Sequence, residues 1–237
     1  EFFDNRFEIG KYKHLMVAPL NMRAKLKSLI SREIKNAKEK KPAMLFFKIN
    51  NLVDKEIIKK LYEASNAGVK VKLIVRGICS LVPGVEGLSE NIEAISILDR
   101  FLEHPRIFYF ANNGKGEIYM GSADVMERNI DHRIEVLVSI LDKDIKKQLK
   151  EILDLQWQDN VKARTLAQGH LNDYIGKDKN ATAVRSQIAL YDYFKNNNIS
   201  IKANAAMVIK TITVVGIYIV PFILILTIPM NIFLALA

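Results

Sequence analysis

The sequence predicts an α/β fold: a mixed sheet flanked by helices, followed by a hydrophobic, transmembrane-like helix at the C-terminus. Three observations predict it. Short apolar runs rich in branched and aromatic residues, such as Met44-Leu45-Phe46-Phe47-Lys48-Ile49 and Val69-Lys70-Val71-Lys72-Leu73-Ile74-Val75, alternate with amphipathic stretches that carry helix caps. Apolar residues make up 49% of the chain, enough for a real core. Thr211 to Ala237 carries no charge at all, and about 20 apolar residues suffice to span a bilayer as a helix.

Residues 1–19 read as irregular, with a short apolar piece, Leu15-Met16-Val17-Ala18, before Pro19. Asn21 is a candidate N-cap, after which Met22, Leu26, Leu29, Ile30, Glu33 and Ala37 share a helical face. Lys38-Glu39-Lys40-Lys41 is its solvated end. Residues 44–49 then form a buried strand. Asp54 caps a second helix containing Ile57, Ile58, Leu61 and Tyr62, and Gly68 ends it. Residues 69–75 are the next strand. Strand, helix and strand at this spacing predict a parallel pair with a right-handed crossover. Asn50 and Arg76 then stand side by side at the carboxyl edge, where open α/β sheets bind ligands. Residues 80–92 are a loop with Pro83, Gly84 and Gly87. Strands are expected near 94–98, 106–110, 117–121 and 133–140. Asp142 caps a helix that turns Ile145, Leu149, Ile152 and Leu153 inward, with Trp157 packed beneath it. Residues 160–182 read as polar loop, and 183–195 as a short amphipathic helix.

The net charge is +9, which calls for an anionic partner or simply keeps the protein soluble. Cys79 is the only cysteine, so neither an intrachain disulfide nor a thiolate cluster can form. Following an apolar strand, it reads as a small packed residue rather than a nucleophile. His14, His132 and His170 lack metal-ligand spacing, and no Gly-rich nucleotide loop is present. No methionine precedes Glu1 and the chain stops inside an apolar run, so the sequence reads as a piece of something longer.

The chemistry concentrates between Arg76 and Asp124. An arginine at a strand end, His104 with Arg106 two residues on, and the turn Gly121-Ser122-Ala123-Asp124 are parts suited to phosphoryl oxygens. Guanidinium forks bind them in pairs, imidazole can bind them or pass a proton, and turns offer backbone N–H groups. A single histidine serves structure more often than chemistry. On one strand, however, residues 104 and 106 face the same way, and two cations so placed call for an anion between them. Ser122 and Asp124 are equally well explained as turn residues. In the dense run Arg128 to Glu135, Arg128 can reach an anion, whereas Asp131, Arg133 and Glu135 read as an ion-pair network.

The spacing of His104, Arg106, Ala111, Gly121-Ser122 and Asp124 resembles half of a phospholipase-D site, with Arg for Lys, Ala where the acid belongs and Asp for Asn. A fuller resemblance covers residues 2–195. Tyr12-Lys13-His14-Leu15-Met16-Val17-Ala18-Pro19, Asn50-Asn51-Leu52-Val53-Asp54, Val75-Arg76-Gly77-Ile78-Cys79-Ser80-Leu81, Arg100-Phe101-Leu102-Glu103-His104, Asp159-Asn160-Val161-Lys162-Ala163-Arg164 and Val184-Arg185-Ser186-Gln187 are similar to the C-terminal domain of class-1 polyphosphate kinases. The resemblance implies a phospholipase-D-like fold and a reversible transfer of the terminal phosphate of ATP to polyphosphate. That transfer runs through a phosphohistidine in a preceding domain, with Mg²⁺ whose ligands lie outside this sequence. It places Arg76 and His104 at the ATP phosphates, with His104 also catalytic, and by the physical argument above Arg106, Arg128, Asn50 and Ser122 nearby; no metal ligand is assigned.

The resemblance further implies ATP, ADP and polyphosphate as partners, no nucleic acid, a homo-oligomer in the intact enzyme and a cytoplasmic site. Two domains are expected: 1–195, the kinase-like domain, and 196–237, a membrane-spanning tail foreign to it and joined from a neighbouring membrane protein, with a natural membrane anchor as the alternative. Lys202 and Lys210 put the domain on the cytoplasmic side. The stretch from Tyr193 to Leu224 resembles the start of a membrane fatty-acid desaturase, without that family's histidine boxes. The competing readings are a non-catalytic, membrane-attached polyanion-binding module and a phospholipase-D-like lipid enzyme.

Overall fold

Eight strands form one mixed sheet in the computed structural model, which describes residues 12–167, 172–175 and 181–196. In chain order these are β1 (Leu15–Ala18), α1 (Met22–Lys38), β2 (Met44–Ile49), α2 (Lys55–Asn66), β3 (Lys70–Val75), β4 (Ile92–Ile97), β5 (Arg106–Phe110), β6 (Glu117–Gly121), β7 (Glu135–Ile140), α3 (Lys143–Trp157), β8 (Ala163–Thr165) and α4 (Ser186–Asn196). A short π-helical turn, Arg128–His132, lies between β6 and β7. The strand order is β1-β7-β6-β5-β2-β3-β4-β8. β2, β3 and β4 are mutually parallel, and the remaining pairings are antiparallel.

The expected parallel pair is present. Ile49 stands opposite Val75, which sets Asn50 beside Arg76 at the carboxyl edge. Asp54 caps α2 by accepting the Ile57 N–H at 2.9 Å, and Gly68 ends it at φ +85°, a conformation that costs glycine least. Asp142 caps α3 through the Asp144 and Ile145 N–H groups.

Side chains alternate across the sheet and build a core on each face. Phe47, Phe108 and Phe110 pack with Leu26, Ile30, Ile57 and Leu61 beneath α1 and α2. Phe46, Ile74, Ile107 and Ile118 pack with Leu153 beneath α3. Trp157, the last residue of that helix, meets Phe46 edge-on at 5.4 Å.

Several expectations are corrected. Residues 15–18 are not irregular but pair with β7, and 163–165 form edge strand β8 within the stretch read as loop. Asn21 precedes α1 without capping it; its Oδ1 accepts the Val17 N–H at 2.7 Å instead. Asp131, Arg133 and Glu135 do not pair with one another. Asp131 takes the Arg23 guanidinium, which also forks onto Asp54, and Glu135 accepts from Asn129. The apolar tail lies outside the described residues. Among the described residues no helix is long and apolar enough to cross a membrane.

Candidate functional site

The carboxyl edge of β2 and β3 gathers three of the predicted cations, Arg76, His104 and Arg106. Arg76 continues β3, and His104 lies just before β5, whose first residue is Arg106. Because β5 runs antiparallel to β2, its start returns to the edge where β2 ends. Arg76 Nη2 stands 3.4 Å from His104 Nδ1. A guanidinium has donors only, so the facing Nδ1 must accept and the ring proton belongs on Nε2. Arg76 Nη1 is buried without a hydrogen-bond partner, and so is Asn50 Nδ2 at the neighbouring register position. Two sealed donors with no acceptor are costly unless a ligand oxygen completes them.

Close backbone packing forms this edge. Gly77 N donates to Asn50 O at 2.7 Å. Gly121, at the end of β6, leaves no room for a side chain, since a Cβ there would lie 1.9 Å from Val136 O.

Arg106 is not a free cation. It forks onto Asp124 through Nε at 3.2 Å and Nη2 at 3.1 Å, and its Nη1 donates to the His104 carbonyl. The anion expected between positions 104 and 106 is therefore in part the protein's own carboxylate. Asp124 also accepts the Asn50 and Asn51 N–H groups. Burial would raise Asp124, but the Arg106 fork and the Asn50 N–H hold it below the usual carboxylate range. His104 is not a strand residue, so its proximity to Arg106 comes from this contact rather than from strand alternation.

Slight desolvation of the exposed ring, then the Arg106 and Arg76 charges, pull His104 below the ordinary imidazole value, with Asp124 opposing. The ring is accordingly neutral near pH 7. Ser122 accepts the Val136 N–H through Oγ at 3.2 Å and stays a turn residue on the same edge. Arg128 is exposed on the turn after β6, and no contact joins it to Arg76 or His104. Cys79 is partly buried, and burial pushes its thiol up, away from nucleophilic use.

Sequence reasoning missed the support under His104. Lys48, on β2, is buried and ion-paired with Glu103. Burial pulls its ammonium down, and Glu103 opposes that. Glu103 also accepts from Gln156, at the end of α3, and from Gln187 on α4. A lysine inside an apolar strand run was the one available signal. Ala111, where the resemblance to a phospholipase-D half-site would call for an acid, is buried at the other end of β5, where its N–H bonds Met44 O. The half-site lacks its carboxylate there.

Among the described residues, no group of three His, Cys, Asp or Glu side chains could hold a metal ion. The nearby acids, Glu103 and Asp124, are occupied by Lys48 and Arg106. The residues described do not fit a resident Mg²⁺.

A protein-family model described as polyphosphate kinase C-terminal domain 2 matches residues 15–187. The polyphosphate kinase of Vibrio cholerae is 52% identical over 195 residues, covering 82% of this chain and 28% of that protein. The Escherichia coli polyphosphate kinase is 46% identical with the same coverage. The crystal structure of polyphosphate kinase from Porphyromonas gingivalis superposes with a TM-score of 0.79 at 40% identity, over 83% of this chain and 30% of that one. The chain thus spans less than a third of the relatives it matches.

Proposed function

The chain belongs to the polyphosphate kinase family, as its C-terminal domain 2, and from that membership we propose that it supplies the phosphate-binding side of an ATP:polyphosphate phosphotransferase. The observation that carries the reading is the Arg76–His104 pair, 3.4 Å apart, with Arg76 Nη1 buried and unpartnered. Arg76 grips the phosphate oxygens of ATP or polyphosphate and spreads the charge that develops during transfer. His104 donates from Nε2. An arriving polyanion raises its affinity for a proton, so the ring can take one up as phosphate binds and return it as phosphate leaves. Asn50 Nδ2 offers a third donor beside Arg76.

The phosphohistidine of the transfer resides in a preceding domain of the intact enzyme. Mg²⁺ comes with the nucleotide and is held from outside this chain. Alone, the chain binds nucleotide weakly and does not turn over. ATP, ADP and polyphosphate are its ligands. The apolar run 211–237 gives a membrane anchor on the cytoplasmic side, on the strength of its length and lack of charge.

The test follows the His104 ring by NMR as tripolyphosphate is added. The reading expects His104 and Arg76 resonances to move together at millimolar ligand, and Arg76→Ala to abolish the His104 response. A His104 signal indifferent to tripolyphosphate, or equally responsive in Arg76→Ala, refutes it. So does micromolar ATP binding by the isolated chain in calorimetry, which would mean a complete site.

A further inference from the structure

His104 rides on the segment between Ile97, the end of β4, and Arg106, the start of β5. That segment has little apolar purchase, since Leu98, Phe101 and Leu102 are all exposed. Such a segment opens readily unless its backbone is held. Gln187, in the first turn of α4, holds it. Its Oε1 accepts the Phe101 N–H at 3.0 Å, and its Nε2 donates to Phe101 O at 2.8 Å and to Glu103 Oε1 at 3.1 Å. One side-chain amide thus pairs both backbone groups of Phe101 and grips the carboxylate next to His104.

Gln187 is itself fixed from below. Asp159, almost fully buried, accepts the Ser186 N–H on one oxygen at 2.7 Å. Its other oxygen accepts the N–H groups of Val161, Lys162 and Ala163. Asn160 pairs with Thr182 O and the Val184 N–H. Arg185 forks onto Asp99, at the other end of the same segment. Hydrogen bonds therefore run from the start of β8 through the start of α4 to the residue before His104.

We propose that Gln187 is a positioning residue for the phosphate site, its amide latching residues 101–103 so that the His104 ring stays against the Arg76 guanidinium. The inference rests on the proposed function only in taking His104 as a working group. The chemistry requires glutamine. Glutamate would offer acceptors alone, lose the bonds to Phe101 O and Glu103, and set a second carboxylate beside Glu103. Alanine would remove all three bonds.

The experiment compares Gln187→Glu and Gln187→Ala with the parent chain. It reads the His104 titration by NMR, amide exchange at residues 101–104, and thermal melting. The charged groups facing the ring are Arg76, Arg106 and Asp124. A released segment carries His104 away from the two cations, so its pKa should climb toward the ordinary value of about 6.5. Exchange at Phe101 should quicken about tenfold in the alanine variant, which removes the acceptor of its N–H, with the melting transition still cooperative. A general loss of stability would not single out the His104 titration. Folded variants that keep both the parent titration and the parent Phe101 exchange overturn the proposal. Should the alanine variant fail to fold, the His104 titration of the glutamate variant decides alone: a parent value there overturns the proposal. Failure of the proposed function is read separately, from the tripolyphosphate response of the chain with Gln187 intact.

Discussion

The two edges of the sheet hold comparable numbers of cations in opposite ways. At the carboxyl edge of β2, Lys48 is buried against Glu103, the partly buried Arg106 is forked onto Asp124, and Arg76 is braced against His104. At the other edge, Lys115, Lys143, Lys146 and Lys147 line an open cleft of about 320 Å³ with Tyr109, Ile118 and Leu141. There only Lys146 is tied to the backbone, to Gly116 O at 3.3 Å, and Lys147 reaches Glu151 at 4.0 Å. Four ammonium groups on flexible stems attract anions without orienting one. A net charge of +9 counts both edges alike, so charge alone does not locate the site. What separates them is pre-organisation: fixed donors, two of them already buried without acceptors.

The largest expected effect tests this contrast directly. In a full-length relative, alanine in place of the residue matching Arg76 or His104 should lower polyphosphate synthesis about 100-fold or more. Neutralising the residues matching Lys115, Lys143, Lys146 and Lys147 together should keep synthesis within about threefold. Steady-state assays on the two sets decide. Equal losses would erase the distinction between the edges, and unchanged synthesis in the first set would favour a non-catalytic polyanion-binding module.

Stability should divide in the same way. Asp124→Ala leaves the Arg106 guanidinium buried without its partner and frees the Asn50 and Asn51 N–H groups. Breaking a buried pair from one side costs about 3–5 kcal/mol. Lys147→Ala loosens only an exposed pair on α3 and should cost about 0.5 kcal/mol or less. Denaturant melts of the two variants measure the gap; near-equal midpoints would mean that the Asp124 network is not under load.

A smaller difference is expected between two glycines. At Gly121 an added Cβ would meet Val136 O at 1.9 Å, so Gly121→Ala must push β6 from β7, at about 1–3 kcal/mol. At Gly116, beside the lysine cleft, the nearest atom to a Cβ is 3.7 Å away and only the left-handed φ of +63° is strained. Gly116→Ala should cost about 1 kcal/mol. Thermal unfolding ranks them, and a reversed order would mean that the site edge yields more easily than its packing implies.

These contrasts also explain what the sequence reveals and what it hides. β2 and β3 are legible because their apolar runs are bounded by Asp54 and Gly68, signals carried within a few residues. β1 and β8 are not, because each is a short strand paired into the sheet with a strand far along the chain: Leu15 meets Val138, and Ile95 meets Thr165. Arg76 and His104 are legible as candidates, since an arginine at a strand end and a histidine two residues before another arginine stand out, and the fold sets the two side chains 3.4 Å apart. The roles of Arg106 and Lys48 are hidden, because the carboxylates that claim them, Asp124 and Glu103, lie 18 and 55 residues away. Gln187 is hidden for the same reason, its partners being 84 and 86 residues off. Local chemistry can name the reactive groups. What holds them depends on the sheet order, which only the folded chain supplies.

The smallest effect is a dependence on pH, and it too should belong to one edge alone. His104 is held below its ordinary value by slight desolvation and by Arg106 and Arg76. The unfolded chain therefore binds a proton at this residue at a higher pH than the folded one. His104 then adds stability above about pH 6.5, and that contribution is lost as pH falls from there through the depressed folded value. A bound polyanion reverses the bias, because negative oxygens beside the ring favour imidazolium. Binding at the carboxyl edge should thus take up a proton and tighten as pH drops from about 8 toward 6, until protonation of phosphate itself, near pH 6, opposes it. The lining of the lysine cleft contains no histidine, so that edge contributes no such slope. Calorimetry of tripolyphosphate binding in buffers of different ionisation enthalpy reads the proton count. Uptake should be present in the parent chain, absent in His104→Ala, and unaffected by neutralising the four lysines. Uptake that persists without His104, or disappears with the lysines, would place the binding chemistry at the other edge.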